Sequence, residues 1–185
     1  MTNHAQLPAG PVDLPVFDFA AFVDAFDTRR RARRLSWYEF ADELWHQSSQ
    51  LNAQLLDHPL CGGAVSRLGA RGETSCQYAL FLLRWLHRAP EEFLTGPAVD
   101  VGDTRLLEPG PGCRLRWDLN LLHDVLNTQR QRRGLTWTQL ARIIDCTPSR
   151  LTNLRTARMA DLGLTMRVTQ LLRRPAADFI QGAQW

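Results

Sequence analysis

Residues 118–141 read DLNLLHDVLNTQRQRRGLTWTQLA, and residues 18–41 repeat them as DFAAFVDAFDTRRRARRLSWYEFA. The identical residues, among them Trp37 and Trp137, recur at a spacing of 100 positions without a gap. Most of the substitutions between the two segments exchange one apolar residue for another or one polar residue for another. The chain therefore contains one small helical unit twice, and this repeat governs the interpretation of everything else.

The correspondence continues beyond this segment at a shorter spacing. Leu68 corresponds to Leu154 at a distance of 86 positions, so the first copy carries fourteen extra residues, roughly 46–59. Fourteen residues make close to four turns of α-helix at about 3.6 residues each. A second helix that continued through Leu51 and Leu55 would keep its apolar face aligned. This pattern predicts an elongated, protruding helix that offers a partner surface or covers the linker.

Helical spacing and capping signals divide each copy into short helices. In the second copy Leu119, Leu122 and Leu126 recur at helical spacing, and Gly134 closes that helix. Thr136, three residues before a Gln, then has the form of a capping box, in which the hydroxyl accepts a free backbone N–H at the helix start. The same pattern recurs in the first copy at Ser36 and Glu39. The residues that the second helix is predicted to bury are Trp137, Leu140, Ala141 and Ile144.

A third helix is predicted after a short turn. Asp145 ends the second helix, because Asp is one of the few residues besides Gly that tolerate a left-handed backbone. Thr147 is predicted to cap the third helix, with Pro148 at its first position, where a missing N–H costs nothing. Leu151 and Leu154 form the predicted buried side, which leaves the polar residues between them facing outward.

The segments LTWTQLAR (135–142) and CTPSRLTNL (146–154) resemble the helix-turn-helix of the Cro and lambda-repressor family, also called the xenobiotic-response-element type. The resemblance covers about residues 118–180 and, more loosely, residues 18–94. It implies an all-α fold made of two tandem lambda-repressor-like helix-turn-helix bundles of four to five helices each. In such a bundle the third helix lies in the major groove of DNA and the second crosses the backbone.

The resemblance implies a DNA-contacting surface on the second copy. The residues that it places near base edges or the sugar-phosphate backbone are Thr136, Gln139, Thr147, Ser149, Arg150, Thr152, Asn153, Arg155 and Arg158. Arg suits guanine and Asn suits adenine, because each can form two hydrogen bonds to its base. The alternative for Ser149 and Thr152 is simple solvation of a helix surface. A second candidate DNA site in the first copy comprises Ser66, Arg67 and Arg71.

Two residues depart from the family pattern. Trp137 stands where the family commonly has Gln, a frequent DNA contact, and Asp145 stands where it commonly has Gly in the turn. The first departure removes a polar side chain from the surface that is expected to meet DNA. The second is sterically acceptable, because Asp adopts the left-handed conformation that the turn requires.

The charge of the chain is unevenly distributed. All 22 basic residues are Arg; residues 114–185 carry 12 of them against five Asp and no Glu, a net charge of +7. Residues 1–113 carry 10 Arg against 14 Asp and Glu, a net charge of −4. A DNA-binding module needs cations to replace the counterions along the phosphates, so the second copy is the stronger candidate. The alternative is that Arg130, Arg132 and Arg133 form a solvated helix end that complements the helix dipole.

Gly and Pro residues mark the predicted domain boundaries. Residues 1–15 are predicted to form a flexible tail, 16–94 the first copy with its elongated second helix, and 114–185 the basic DNA-binding copy. Between the copies, the Gly- and Pro-rich residues 95–113 are predicted to form a linker. As a flexible coil, nineteen residues span roughly 24 Å. Four apolar residues in this segment indicate instead that part of it packs down: Val99, Val101, Leu106 and Leu107.

Several classes of protein find no support in the sequence. No stretch reaches the roughly 20 apolar residues of a membrane span, and no signal peptide is recognisable, which predicts a cytoplasmic protein without a membrane partner. The four Cys show no metal-binding spacing, so we expect neither a metal nor a cofactor. No nucleophile, His and carboxylate are indicated to converge, and no phosphate-binding Gly loop is present, so we expect no enzyme.

Two functions agree with these observations. The first is a sequence-specific transcriptional regulator that binds double-stranded DNA through the third helix of the second copy. Its first copy would act as a second, degenerate DNA module or as a surface for a homodimer or a protein partner. The alternative is a protein-interaction adaptor that kept the fold without reading DNA, for which Trp137 and the acidic first half are the evidence. The sequence leaves open whether the protein acts as a monomer with two heads or as a dimer.

Overall fold

A computed structural model describes residues 13–156 and 160–185 of the chain. The described chain is mostly helical, as predicted, and it also contains short strands that the sequence analysis did not predict. Most of the expected flexible tail, residues 1–12, lies outside the described residues, and so does Arg158.

Each copy begins and ends with a short strand and has helices between them. The elements of the first copy are β1 (Val16–Phe17), α1 (Phe19–Ala32), α2 (Trp37–His46), α3 (Ser49–Asn52), α4 (Gly62–Ser66), α5 (Leu68–Arg71), α6 (Cys76–Leu86), a 3-10 turn (Pro90–Phe93) and β2 (Leu94–Thr95). The elements of the second copy are β3 (Arg114–Trp117), α7 (Leu119–Arg132), α8 (Trp137–Ile144), α9 (Pro148–Thr152), a 3-10 turn (Asn153–Arg155), α10 (Leu162–Leu172), a 3-10 turn (Ala176–Phe179) and β4 (Ile180–Ala183).

The strands join the two ends of each copy. β1 pairs antiparallel with β2, and β3 pairs antiparallel with β4. Next to each pair a matching backbone bond forms: Asp18 N donates to Phe93 O, and Asp118 N donates to Phe179 O, both at 2.7 Å. The expectation of an all-α chain was therefore incomplete. Strands of two to four residues are too short to produce a recognisable alternation of apolar and polar residues.

The predicted elongation of the second helix is wrong, because α2 ends at His46. Ser48 breaks the helix with a backbone φ of −123° and is itself buried. Its hydroxyl donates to Cys113 O at 2.8 Å and accepts from Arg84 Nη1 at 2.9 Å, so distant parts of the chain satisfy its polar atoms. Leu51 is buried within the single chain instead of lying on a protruding helix.

The extra residues of the first copy hold the linker. The backbone N–H groups of Gln50 and Leu51 donate to Pro111 O at 3.1 and 3.2 Å. Arg114, at the start of β3, is buried; it forms an ion pair with Asp57 and donates to Asn52 Oδ1 at 2.6 Å. The end of the linker is therefore fixed on the first copy.

The two copies also pair through their backbones. Cys76 N donates to Ala160 O at 2.8 Å, and Leu162 N donates to Thr74 O at 3.0 Å. These bonds flank an antiparallel bridge between Ser75 and Asp161, which occupy equivalent positions of the two copies, 86 residues apart. A residue that pairs antiparallel with its own counterpart lies beside a local two-fold axis. The copies are thus related as the halves of a symmetric dimer are.

Packing around this axis is reciprocal. β3 of the second copy packs against α6 of the first, and β1 of the first copy packs against α10 of the second. Trp117 in β3 donates its indole N–H to Cys76 O at 3.1 Å. The Gln77 side chain bonds the β3 backbone twice, accepting from Trp117 N at 3.2 Å and donating to Leu115 O at 2.8 Å. Buried residues from both copies consequently form one hydrophobic cluster.

Arg34 and Gly134 provide a matched test of the repeat. Both occupy the turn after the first helix of their copy, with positive φ values of 57° and 62°. A left-handed backbone costs a residue with a side chain roughly 1–2 kcal/mol. Gly avoids this cost, but part of the gain is offset because Gly has more conformational entropy in the unfolded state. We expect Arg34→Gly to raise the free energy of unfolding by about 0.5–1 kcal/mol, and Gly134→Arg to lower it. Urea unfolding of both variants measures this, and a loss of stability in Arg34→Gly would contradict it.

Candidate nucleic-acid interface

The start of α8 is fixed by a capping box, as predicted. Thr136 Oγ1 accepts from Gln139 N at 3.2 Å, and Gln139 Oε1 accepts from Thr136 N at 2.8 Å. Ser36 and Glu39 form the same box at the start of α2. Each reciprocal pair satisfies two backbone donors that the helix itself leaves without a partner. Both Thr136 and Gln139 are exposed, but the amide oxygen of Gln139 is engaged in the cap.

A three-residue turn, 145–147, directs the chain from α8 into α9. Asp145 adopts the predicted left-handed conformation, with φ of 57°, and Pro148 stands at the first position of α9. Thr147 precedes the helix as predicted, but it does not cap it through its side chain. Its hydroxyl instead lies 3.1 Å from Ser149 Oγ.

The third helix is shorter than expected and continues as a 3-10 turn. α9 ends at Thr152, so Asn153 and Arg155 lie on the tighter turn that follows. Leu151 and Leu154 are fully buried, as predicted, and they fix which side of this segment faces the solvent. The predicted contact residues that the structure describes in this segment are exposed: Thr147, Ser149, Arg150, Thr152, Asn153 and Arg155.

Arg150 forms an ion pair that the sequence analysis missed. Its guanidinium bonds Asp161 Oδ2, while Asp161 Oδ1 accepts from Leu164 N at 2.8 Å and so caps α10. Asp161 stands directly before an apolar helix, which is a recognisable capping position. Its contact with the third helix has no local signal, because the two residues are brought together only by the fold. The ion pair offsets the charge of Arg150 at the exposed surface.

The other exposed side chains of this segment differ in how strongly they are engaged. Thr152 Oγ1 donates to the backbone oxygen of Ser149 at 3.2 Å, which is a bond within the helix. Within residues 13–156 and 160–185, no hydrogen bond or ion pair engages the side chains of Asn153 and Arg155. Asn153 and Arg155 are therefore available to a ligand without breaking an existing contact.

No match was found for this chain among protein-family models, curated proteins or solved structures. The assignment of a function consequently depends on the geometry and charge of this surface.

Trp137, which was predicted to be buried, is half-buried and packs on α7. Its ring stacks on His123 with a centroid distance of 5.2 Å, and the Arg130 guanidinium lies 4.8 Å from its centroid. Trp37 and Arg30 repeat the contact in the first copy, at 4.1 Å. Trp137 and Trp37 thus each pack against an Arg side chain of their own copy.

His123 is buried beneath this Trp and close to the exposed surface. Its Nδ1 atom has no hydrogen-bond partner and lies 3.6 Å from Asp124 Oδ1, which is too far for a hydrogen bond. Burial lowers the pKa of His123 below its ordinary value, and the positive charge of Arg155 lowers the pKa further. The neutral imidazole is therefore the form that the folded second copy favours.

This burial predicts a loss of stability in mild acid. As the pH falls below about 6.5, the unfolded chain binds a proton at His123 that the folded chain does not, so the free energy of unfolding must fall. His123→Val, which introduces the residue of the first copy at Val23, should remove this part of the pH dependence. Urea unfolding at pH 7.5 and 5.5 compares the variant with the wild type, with the exposed His58→Gln as the control. An unchanged pH dependence in His123→Val would contradict the prediction.

The corresponding surface of the first copy is formed by α2 and α4, which are equivalent to α8 and α9 but carry different side chains. Ser66, Arg67 and Arg71 are exposed, as expected for a candidate site, and Ser66 Oγ donates to Gly63 O at 3.1 Å. The preceding helix α2 presents a different charge from α8. At three exposed positions α2 carries Tyr38, Glu39 and Asp42. At the equivalent positions α8 carries Thr138, Gln139 and Arg142. Arg142 is a further cation of the second copy that the sequence analysis did not single out.

Gly62 lets α4 approach the backbone of α2 closely. A Cβ atom at Gly62 would lie 2.9 Å from Trp37 O and 3.0 Å from Tyr38 Cα, which are backbone atoms that cannot move aside easily. At Gly63 the nearest atom would be the end of the flexible Arg67 side chain, at 3.3 Å. Gly62 therefore permits an approach of α4 to α2 that a residue with a side chain would prevent.

The two Gly residues give opposite predictions. Gly62→Ala should lower the free energy of unfolding by about 1–3 kcal/mol, because the added methyl group overpacks the contact between α4 and α2. Gly63→Ala should raise it by about 0.5–1 kcal/mol, because Ala favours the helix relative to Gly. Chemical denaturation of the two variants provides the measurement. Equal effects of both substitutions would show that the close approach at Gly62 does not limit the packing.

The described residues offer little for other kinds of site. Within 13–156 and 160–185, no group of three His, Cys, Asp or Glu side chains is placed to hold a metal ion. Across the same ranges, no helix combines the length and the apolar character that a bilayer crossing requires. The Cys residues are free thiols, of which Cys61 is exposed and Cys76 buried.

Proposed function

We propose that this protein is a cytoplasmic, sequence-specific DNA-binding transcriptional regulator in which α9 of the second copy enters the major groove. The observation that carries the proposal is the exposed polar surface of α9 and its 3-10 turn, in the half of the chain with a net charge of +7. The two copies would be tandem lambda-repressor-like helix-turn-helix bundles, the second of which reads DNA.

The path of the chain supports this proposal. Two short helices, α8 and α9, are joined by a three-residue turn, and Leu151 holds the second of them against the core. Helix-turn-helix proteins use such a turn and place base-reading residues near the start of the second of these helices. Ser149 and Arg150 lie in the first turn of α9 and are exposed.

Separate roles follow from the side-chain chemistry. Arg150 can donate two bonds to guanine, and Asn153 can both donate to and accept from adenine, so these residues are the base readers of the proposal. Arg142 and Arg155 would contact phosphates, which adds affinity but little sequence preference. Thr136 and Gln139, at the start of α8, would lie against the DNA backbone.

The ion pair between Arg150 and Asp161 acts against DNA binding, because the carboxylate competes with the bases for the guanidinium. Asp161→Asn removes this charge but retains an effective N-cap for α10, since Asn caps helices about as well as Asp. We expect the variant to bind duplex DNA about two- to fivefold more tightly, as one lost competing charge contact implies. Fluorescence anisotropy measures the change, and weaker binding with unchanged thermal stability would contradict the role of Arg150.

The decisive test is selection from random-sequence duplex pools with the full chain at two salt concentrations. Enrichment of a short motif, with affinity that falls steeply as salt rises, is the expected result. The double variant Arg150→Ala, Asn153→Ala should lose the enrichment, whereas Arg105→Ala on the linker should retain it. Weak, sequence-blind binding by the wild type would overturn the proposal.

That outcome would favour the protein-interaction adaptor. The observation on its side is the exposed surface of α2, where the 74 % exposed Tyr38 stands beside Glu39 and Asp42. An aromatic ring bordered by carboxylates is unsuited to phosphates but suits a basic protein partner.

A further inference from the structure

The contacts between the copies fix the position of the proposed reading helices. The bridge between Ser75 and Asp161 marks one end of the local two-fold axis. The other end lies near Glu91, whose Oε1 atom accepts from Ala176 N at 2.6 Å, across the two 3-10 turns that follow α6 and α10. The copies are therefore joined at both ends of the axis and cannot swing independently, which two domains on a flexible linker would do.

Both third helices lie at the Ser75–Asp161 end of this axis. In the second copy, Arg150 on α9 bonds Asp161 directly. In the first copy, Ala64 on α4 lines a surface cleft whose wall also contains Ser75 and, from the second copy, Asp161. Ala64 and Arg150 are equivalent residues, 86 positions apart. The two proposed reading helices thus flank the axis and share one end of the molecule.

We propose that one chain applies both helices to a single DNA duplex, so that it binds two half-sites in inverted orientation without forming a homodimer. This inference rests on the proposed function and specifies its target. Two-fold-related reading helices require half-sites of opposite orientation. A second chain is not needed, because one chain already contains two reading helices related by the local two-fold axis.

The two half-sites are unequal. Helix α8 presents Gln139 and Arg142 where a helix-turn-helix protein crosses the phosphates, whereas α2 presents Glu39 and Asp42 at the same positions. The carboxylates repel phosphate, so the second copy provides most of the affinity. The first copy contributes a weaker contact through Arg67 and its neighbours Ser66 and Arg71.

The experiment restores the missing phosphate contacts of the first copy. The double variant Glu39→Gln, Asp42→Arg gives the first copy the residues of the second, and Gln retains the capping box as Gln139 does. The control is the double variant Glu108→Gln, Asp103→Arg, which makes the same change in charge on the exposed linker. Affinity is measured for the full chain on three duplexes. One carries the selected motif once, and this duplex ends at the centre of the site. The other two carry the motif twice, in inverted or in direct orientation.

We expect one chain per inverted duplex by analytical ultracentrifugation. The Glu39→Gln, Asp42→Arg variant should bind the inverted duplex about tenfold more tightly than the wild type does. On the single-motif duplex the variant and the wild type should bind about equally tightly, because only the inverted duplex meets the first copy. The control variant should bind the inverted duplex and the single-motif duplex more tightly than the wild type does, by the same factor for each.

Three results would overturn the inference while leaving the proposed function intact. They are two chains on the inverted duplex, tighter binding to the direct repeat, and an equal gain of the variant on the single-motif duplex. Failure of the wild type to bind any of the duplexes would overturn the proposed function and the inference together.

Discussion

The antiparallel contact between Ser75 and Asp161 is the constraint on which the arrangement of the molecule depends. Both residues cap helices with their side chains: Ser75 Oγ accepts from Tyr78 N at 3.1 Å, and Asp161 Oδ1 accepts from Leu164 N at 2.8 Å. Their neighbours use the backbone to join the two copies. The same short segments therefore start α6 and α10, set the two-fold relation, and hold Arg150 at the exposed surface.

The sequence predicted the features that depend on neighbouring residues. The capping box at Thr136, the left-handed turn at Asp145 and the buried Leu151 each follow from residues a few positions apart. The features it failed to predict depend on distant partners. The helical pattern after His46 is interrupted because Ser48 is satisfied by Arg84 and Cys113, which lie 36 and 65 positions away. The candidate residues that the structure describes are exposed, as predicted, but the partner of Arg150 was not predicted.

Comparison of the two copies separates what maintains the fold from what varies on it. In both copies the guanidinium of the equivalent Arg, Arg30 or Arg130, lies over a Trp ring and bonds the backbone oxygen of the Leu five positions later. This contact fixes the first helix against the second and is retained. The outer surface of the second helix makes no such contact. There the charge has opposite sign in the two copies, with Asp42 in the first copy and Arg142 in the second. A single fold thus supports two surfaces of different chemistry.

The two-fold relation within one chain also changes how the protein can vary. In a homodimer every substitution occurs twice, at symmetry-related positions, so an improvement on one side of the axis is imposed on the other. Here a substitution occurs once. The residues at the axis must remain mutually compatible, but the outer surfaces are free to diverge, and each half can be adapted to its own ligand while the shared core remains unchanged.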